Sequence, residues 1–210
     1  MIVVSSFEIT DSGRRSQPWD RTKGHEHRPG KYYNFRDNPE LIETHLEDFI
    51  EHSDECAIKD FYAFIKWING PDSVLESTDC LLSGAPYPQP AAIMYRCTHA
   101  IKGRLEFFIR QIELNADKKT FMWVYEKLSV YLQIERPDFR KGSFRISPLI
   151  TDYIDTSGNK FTGYRFCIYF QAYGKGISDT WDSLSAMFEC LEKATKRLNS
   201  EMISGEAVPI

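Results

Sequence analysis

The residues that could do chemistry are few and scattered. Gly24-His25-Glu26-His27 has a His-x-His spacing that would let two imidazoles share a metal ion on an extended segment. No third ligand is marked by spacing, so the segment reads as an exposed charged loop. His45 and His52 lie seven residues apart without the HExxH pattern that joins two histidines to zinc, and read as edge histidines. Gly174-Lys175-Gly176 falls between a predicted strand and a predicted helix, where helix-terminal N–H groups can meet an anion. It lacks phosphate-loop spacing and reads as a turn. Asp72-Ser73-Val74-Leu75-Glu76-Ser77-Thr78-Asp79-Cys80 gathers acids, hydroxyls and a thiol. A nucleophilic cysteine needs a base and electropositive surroundings, whereas these neighbours are acidic. A capped structural or contact loop is expected.

No nucleophile elbow, P-loop, GxGxxG or paired metal-carboxylate motif is present, so no catalytic residue, metal ligand or cofactor is assigned. Gly163-Tyr164-Arg165-Phe166-Cys167-Ile168-Tyr169 overlaps loosely with the aromatic strand of RNA-recognition modules. Arg165 and Cys167 break that pattern and the flanking element order is absent. The run is read as an aromatic core strand.

Charge is distributed unevenly. Residues 1–36 carry 7 basic and 4 acidic groups, residues 37–80 carry 2 basic and 12 acidic, and the remainder is mildly basic, within a net charge of −4. Such an acidic block steers a basic partner and speeds encounter. Glu40, Glu43, Glu47, Glu51, Asp72, Glu76 and Asp79 are the candidate partner-binding residues. The competing reading is a solvated face partly paired with the basic N-terminal arm.

The elements that must position these residues follow from periodicity. Residues 2–9 suit a strand. Residues 11–36, with Arg14, Arg15, Arg21, Lys23, Arg28, Lys31 and Arg36, suit a basic arm. Asn38-Pro39 starts a helix over 39–52, and apolar spacing gives a second helix over 54–69, stopped by Gly70-Pro71. Residues 70–90 read as a long loop. Ile101, Leu105, Phe108, Ile109 and Ile112 match the helical template within a helix over 91–114, with Gly103 as the discordant residue. A fourth helix is expected over 117–133, an antiparallel hairpin over 143–154 and 163–173, and a last helix over 180–199. Trp67, Trp123 and Trp181 are expected mainly in the core, Trp67 beside the helix stop.

The expected fold is therefore α+β. It is mainly helical, with about five helices and a small antiparallel sheet that includes a C-terminal β-hairpin. Residues 1–36 form an N-terminal strand and arm, 37–203 one globular domain and 204–210 a frayed tail. No run approaches 18 apolar residues and the N-terminus has no basic, apolar leader. Five widely spaced cysteines without a CxxC point to a reducing cytoplasm.

The function expected first is a non-catalytic, cytosolic protein-binding module. Its most concrete form is an immunity or inhibitor protein that neutralises a basic, nuclease-like toxin through the acidic surface. The alternatives are nucleic-acid binding through the arm and Arg145, Lys160 and Arg165, or an enzyme whose site is assembled from scattered residues.

Overall fold

The computed structural model describes residues 2–5, 16–17, 35–36, 38–45, 49, 51–89, 96–135, 138–154 and 157–205. Its strands are β1 (Ile2–Ser5), β2 (Ser16–Gln17), β3 (Leu75–Leu82), β4 (Tyr87–Pro88), β5 (His99–Ile109), β6 (Gly142–Ile154) and β7 (Lys160–Gly174). Its helices are α1 (Ile42–His45), α2 (Cys56–Asn69), α3 (Lys118–Glu135) and α4 (Ile177–Ser204), with 3-10 turns at Pro39–Leu41 and Ile112–Asn115. The strands form one sheet in the order β1-β6-β7-β5-β3, with β2 also on β6 and β4 also on β5. β1 and β2 run parallel to β6, and the remaining pairs are antiparallel.

The α+β character holds, but the expectation of a mainly helical protein with about five helices is overturned: three long helices pack on a dominant sheet. The largest correction is at 91–114, where the described residues hold the eleven-residue strand β5. Ile101, Gly103, Leu105, Phe107 and Ile109 share the face toward the helices by the pairing register. Phe108 points the other way and is also buried, which is why Phe107-Phe108-Ile109 broke the alternation. A strand covered on both faces gives a continuous apolar run that a helical template also fits. Gly103, out of place in a helix, is required in the strand. A Cβ there would lie 2.2 Å from the Leu81 carbonyl oxygen and 2.5 Å from the Phe170 ring.

The 70–90 loop is overturned as well, since it contains β3 and β4. β3 is polar, and a bulge between Ser77 and Asp79 breaks its alternation. Asn69, the last residue of α2, fastens that bulge. Its Nδ2 donates to Ser77 Oγ at 2.8 Å and its Oδ1 accepts from the Ser77 N–H at 3.1 Å. Of the first expected helix, the described residues include Pro39–Leu41 and α1, followed by a turn through 51–54. The hairpin and the helices at 54–69, 117–133 and 180–199 are present, the last extended to Ser204. Asp117 caps α3 by accepting from the Thr120 N–H at 3.1 Å. The basic arm lies outside the described residues except for β2, Phe35 and Arg36.

One face of the sheet carries the main core. Phe166, Ile168, Phe170 and Ala172 of β7 join Phe144 and Ile146 of β6 and the apolar faces of the three long helices. Phe121 of α3 stacks on Phe166 with centroids 4.1 Å apart, and Phe61 of α2 lies 4.6 Å from Phe188 of α4. Trp181 is buried in this core, whereas Trp67 and Trp123 are partly covered by Lys196 and Lys127 above their rings.

Candidate functional site

With the even positions of β7 and β6 on the helices, the odd positions form the opposite, outer face. Register assigns it Arg145, Ser147, Leu149, Thr151 and Tyr153 on β6, and Arg165, Cys167, Tyr169, Gln171 and Tyr173 on β7. It adds Ala100, Lys102, Arg104, Glu106 and Phe108 on β5, Tyr87 on β4, and Glu76, Asp79 and Leu81 on β3. This face divides into a closed half and an open half.

The closed half is mostly buried and each of its strand charges has an opposite partner, but Glu76 is shared by two arginines, and burial together with Arg36 lowers the Arg110 pKa. Arg165 is 1% exposed. Its Nε donates to Glu106 Oε2 at 2.8 Å, and its Nη1 donates to the Ile150 carbonyl at 2.8 Å and to Thr151 Oγ1 at 2.5 Å. Glu106 also faces Arg104 Nε at 3.7 Å, and Arg104 Nη2 donates to Asp79 Oδ2 at 2.8 Å. At the β3 end, Glu76 lies 3.7 Å from Arg36 and 3.8 Å from Arg110. A buried ion is tolerated only with such partners. Burial pushes the Cys167 thiol up to about 12, helped by the Glu106 charge, so it is no nucleophile at neutral pH. Burial likewise raises the Tyr153 phenol, whose hydroxyl donates to the Tyr164 carbonyl at 2.6 Å.

The open half has the opposite character. Tyr169 is 42% exposed and stands directly between Arg145 on β6 and Arg104 on β5. Its hydroxyl shares a hydrogen bond with the Cys167 thiol two residues back. Arg145 and the exposed Lys102 have no carboxylate partner among the described residues. Tyr173 and Tyr87 flank the small Ala100 two rows away, and Tyr173 shares a hydrogen bond with Ser143. Ser147, next to Arg145 on this face of β6, is 5% exposed and its Oγ has no hydrogen-bond partner. Strands lie about 4.8 Å apart, so the Arg145, Tyr169 and Arg104 backbones fit within about 10 Å.

The expected acidic residues do not all meet. Glu40, Glu43, Glu51 and Asp72 are exposed, and Glu47 lies outside the described residues. Glu76 and Asp79 are on the outer sheet face, ion-paired to arginines. Glu51 precedes α2 and Asp72 follows it, and fourteen helical residues span about 21 Å. Glu43 is close enough to Tyr62 for its charge to add to the burial that pushes that phenol up to about 12.

Of the basic residues proposed for nucleic acid, Arg145 is exposed on the open half. Lys160 is exposed at the start of β7, and Arg165 is sealed in the closed half. His25 and His27 lie outside the described residues, and the His52 ring centroid lies 5.3 Å from that of Trp181. At Gly174-Lys175-Gly176 the anion is internal: Asp179 Oδ2 accepts from the Lys175 N–H at 2.7 Å. Among the described residues no three His, Cys, Asp or Glu side chains gather as metal ligands.

Sequence reasoning missed Tyr87, Lys102, Arg104, Tyr169 and Tyr173 as a set. Reading 91–114 as a helix hid Lys102 and Arg104, and a loop at 70–90 hid Tyr87. The Tyr169-x-x-x-Tyr173 spacing on one strand face was the available signal.

Comparison with known proteins brings no match to a family model, a curated protein or a solved structure. Among the described residues no helix is long and apolar enough to cross a membrane.

Proposed function

We propose that this protein binds single-stranded nucleic acid on the open half of its outer sheet face. The observation that carries the reading is the row Arg145–Tyr169–Arg104, an outward aromatic ring with a cation on each neighbouring strand. Lys102, Tyr173 and Tyr87 extend it by two rows. Unpaired bases stack on aromatic rings while cations track the phosphates, and stacking contributes about 1–3 kcal/mol per base. Among the described residues Arg145 and Lys102 hold no ion pair that a phosphate would have to break. The protein acts without chemistry in this reading. A cytoplasmic setting belongs to the same proposal, supported by five free thiols.

The test is fluorescence anisotropy of labelled, mixed-sequence single-stranded RNA and DNA at low salt. Binding is expected, weakening as salt rises. Tyr169→Ala lowers affinity about tenfold at an unchanged unfolding midpoint. No binding to either nucleic acid at low salt overturns the proposal.

A second reading keeps the acidic surface and a basic protein partner, such as a nuclease-like toxin. It is favoured by Glu40, Glu43 and Glu51, which are exposed and hold no ion pair among the described residues. In that reading the triple glutamine variant loses a salt-sensitive protein partner in pull-downs, and Tyr169→Ala keeps it.

A further inference from the structure

We infer that Arg104 is the residue that chooses among bases, and that it selects guanine. The inference rests on the single-strand reading above.

Arg104 sits where the two halves meet, directly opposite Tyr169. Its guanidinium is held by Asp79 at 2.8 Å and faces Glu106 at 3.7 Å. Glu106 is in turn fixed by Arg165, which the Ile150 carbonyl and Thr151 anchor. A chain of matched charges thus runs from the dry interior to the rim and sets the plane of the Arg104 fork. Burial opposes the Arg104 charge, and the Asp79 and Glu106 carboxylates outweigh it, so its pKa is raised.

The consequence is a division of labour. Asp79 offsets the Arg104 charge at long range, so it attracts phosphates weakly, whereas Arg145 and Lys102 have no carboxylate partner among the described residues. Yet a guanidinium has five N–H donors, and Asp79 engages one of them in the recorded hydrogen bond. Nε is buried and turned toward Glu106, so the donors left for a ligand are those of the Nη groups on a side chain that is 29% exposed. A base stacked on Tyr169 brings its edge toward these donors. Guanine offers O6 and N7 side by side, the pair of acceptors an arginine fork matches. Adenine replaces one of them by an amino donor, and cytosine presents an amino donor. Asp79 is a positioning residue here, because it touches Arg104 and not the base.

The experiment measures binding of uridine-rich nine-nucleotide strands carrying one central guanine, adenine or cytosine. The wild-type protein is expected to prefer guanine about tenfold. Arg104→Lys keeps a cation between Asp79 and Glu106 but removes the fork, and equalises guanine and adenine. Asp79→Asn reduces the preference and, by uncovering the Arg104 charge, steepens the salt dependence. Thermal unfolding of each variant reports on the fold, and the wild-type preference needs no variant at all. Equal binding of the three strands overturns the assignment of Arg104 and leaves the platform standing. Failure to bind any of them removes both.

Discussion

The closed and open halves of the outer sheet face are built on the same strands, often on alternate residues of one strand. Cys167 and Tyr169 are two residues apart on β7, yet the first is sealed and the second exposed. In the closed half every described strand charge is answered: Arg165 by Glu106, Asp79 by Arg104, Glu76 by Arg36 and Arg110. In the open half Arg145 and Lys102 have no carboxylate partner among the described residues. Desolvating an ion costs several kcal/mol, so an unmatched charge persists only where water reaches it. The charge pattern therefore marks where water is excluded for good and where a ligand can replace it.

The strongest attempt to break this comparison is Arg165→Ala. It leaves Glu106 buried beside the rim cation alone and strands Thr151. The expected loss is about 3–5 kcal/mol, read from the denaturant midpoint. Arg165→Met combined with Glu106→Leu replaces the pair by apolar side chains of similar size and recovers most of that loss. If Arg165→Ala shifts the midpoint no further than Arg145→Ala does, the two halves are not different environments.

A smaller effect comes from two tyrosines. Tyr153 in the closed half has a raised phenol pKa because burial disfavours the phenolate. A group whose folded pKa is raised gives stability that is complete below its unfolded pKa of about 10 and lost as pH climbs above it. Tyr62, pushed up to about 12 chiefly by burial, adds to the same limb. Tyr153→Phe also gives up the hydrogen bond to Tyr164, so it is expected to be about 1 kcal/mol less stable at neutral pH. Its stability should fall less steeply above pH 10. Absorbance titration separates the halves: the half-exposed Tyr169 ionises in the folded protein, and Tyr153 only as the protein unfolds. Simultaneous ionisation of both would count against a dry closed half.

Legibility in the sequence followed the same division. The hairpin β6–β7 was readable because Tyr164, Phe166, Ile168 and Phe170 alternate with residues that differ in polarity. Helix α2 was readable from its apolar spacing and its Gly70-Pro71 stop. Strand β5 was not, because Phe108 is buried beneath the closed half while Phe107 and Ile109 are buried beneath the helices. Two covers erase the period of two, and only Gly103 dissented. Strand β3 was masked by its own chemistry, since Glu76 and Asp79 look solvated until Arg36, Arg104 and Arg110 arrive from distant positions. The concentration of acids between 37 and 80 was visible, but sequence adjacency did not disclose that α2 separates Glu51 from Asp72 or that two acids turn onto the sheet. Of the open half, Arg145 was named beforehand as a hairpin cation, and Tyr169 only as the end of a run read as an aromatic core strand.

The gentlest perturbation sharpens the comparison most. Arg145→Ala and Lys102→Ala remove exposed side chains that hold no ion pair among the described residues. Each is expected to change stability by no more than about 0.5 kcal/mol, the usual range for surface positions away from special contacts. If each cation meets one phosphate, each substitution lowers the slope of log affinity against log salt by about 0.7 on a single strand. The double variant lowers it by about 1.4, because the two residues sit one row apart on different strands and answer different phosphates. Arg104→Ala, whose charge Asp79 already offsets, leaves that slope nearly intact even where it weakens binding. Stability without change, together with a salt slope that drops for the unmatched cations and holds for the matched one, is the signature that separates a surface waiting for phosphate from a surface that is merely charged. Equal slopes for all three variants would mean that the matched and unmatched cations are alike to a polyanion, and the division of the sheet face would lose its functional meaning.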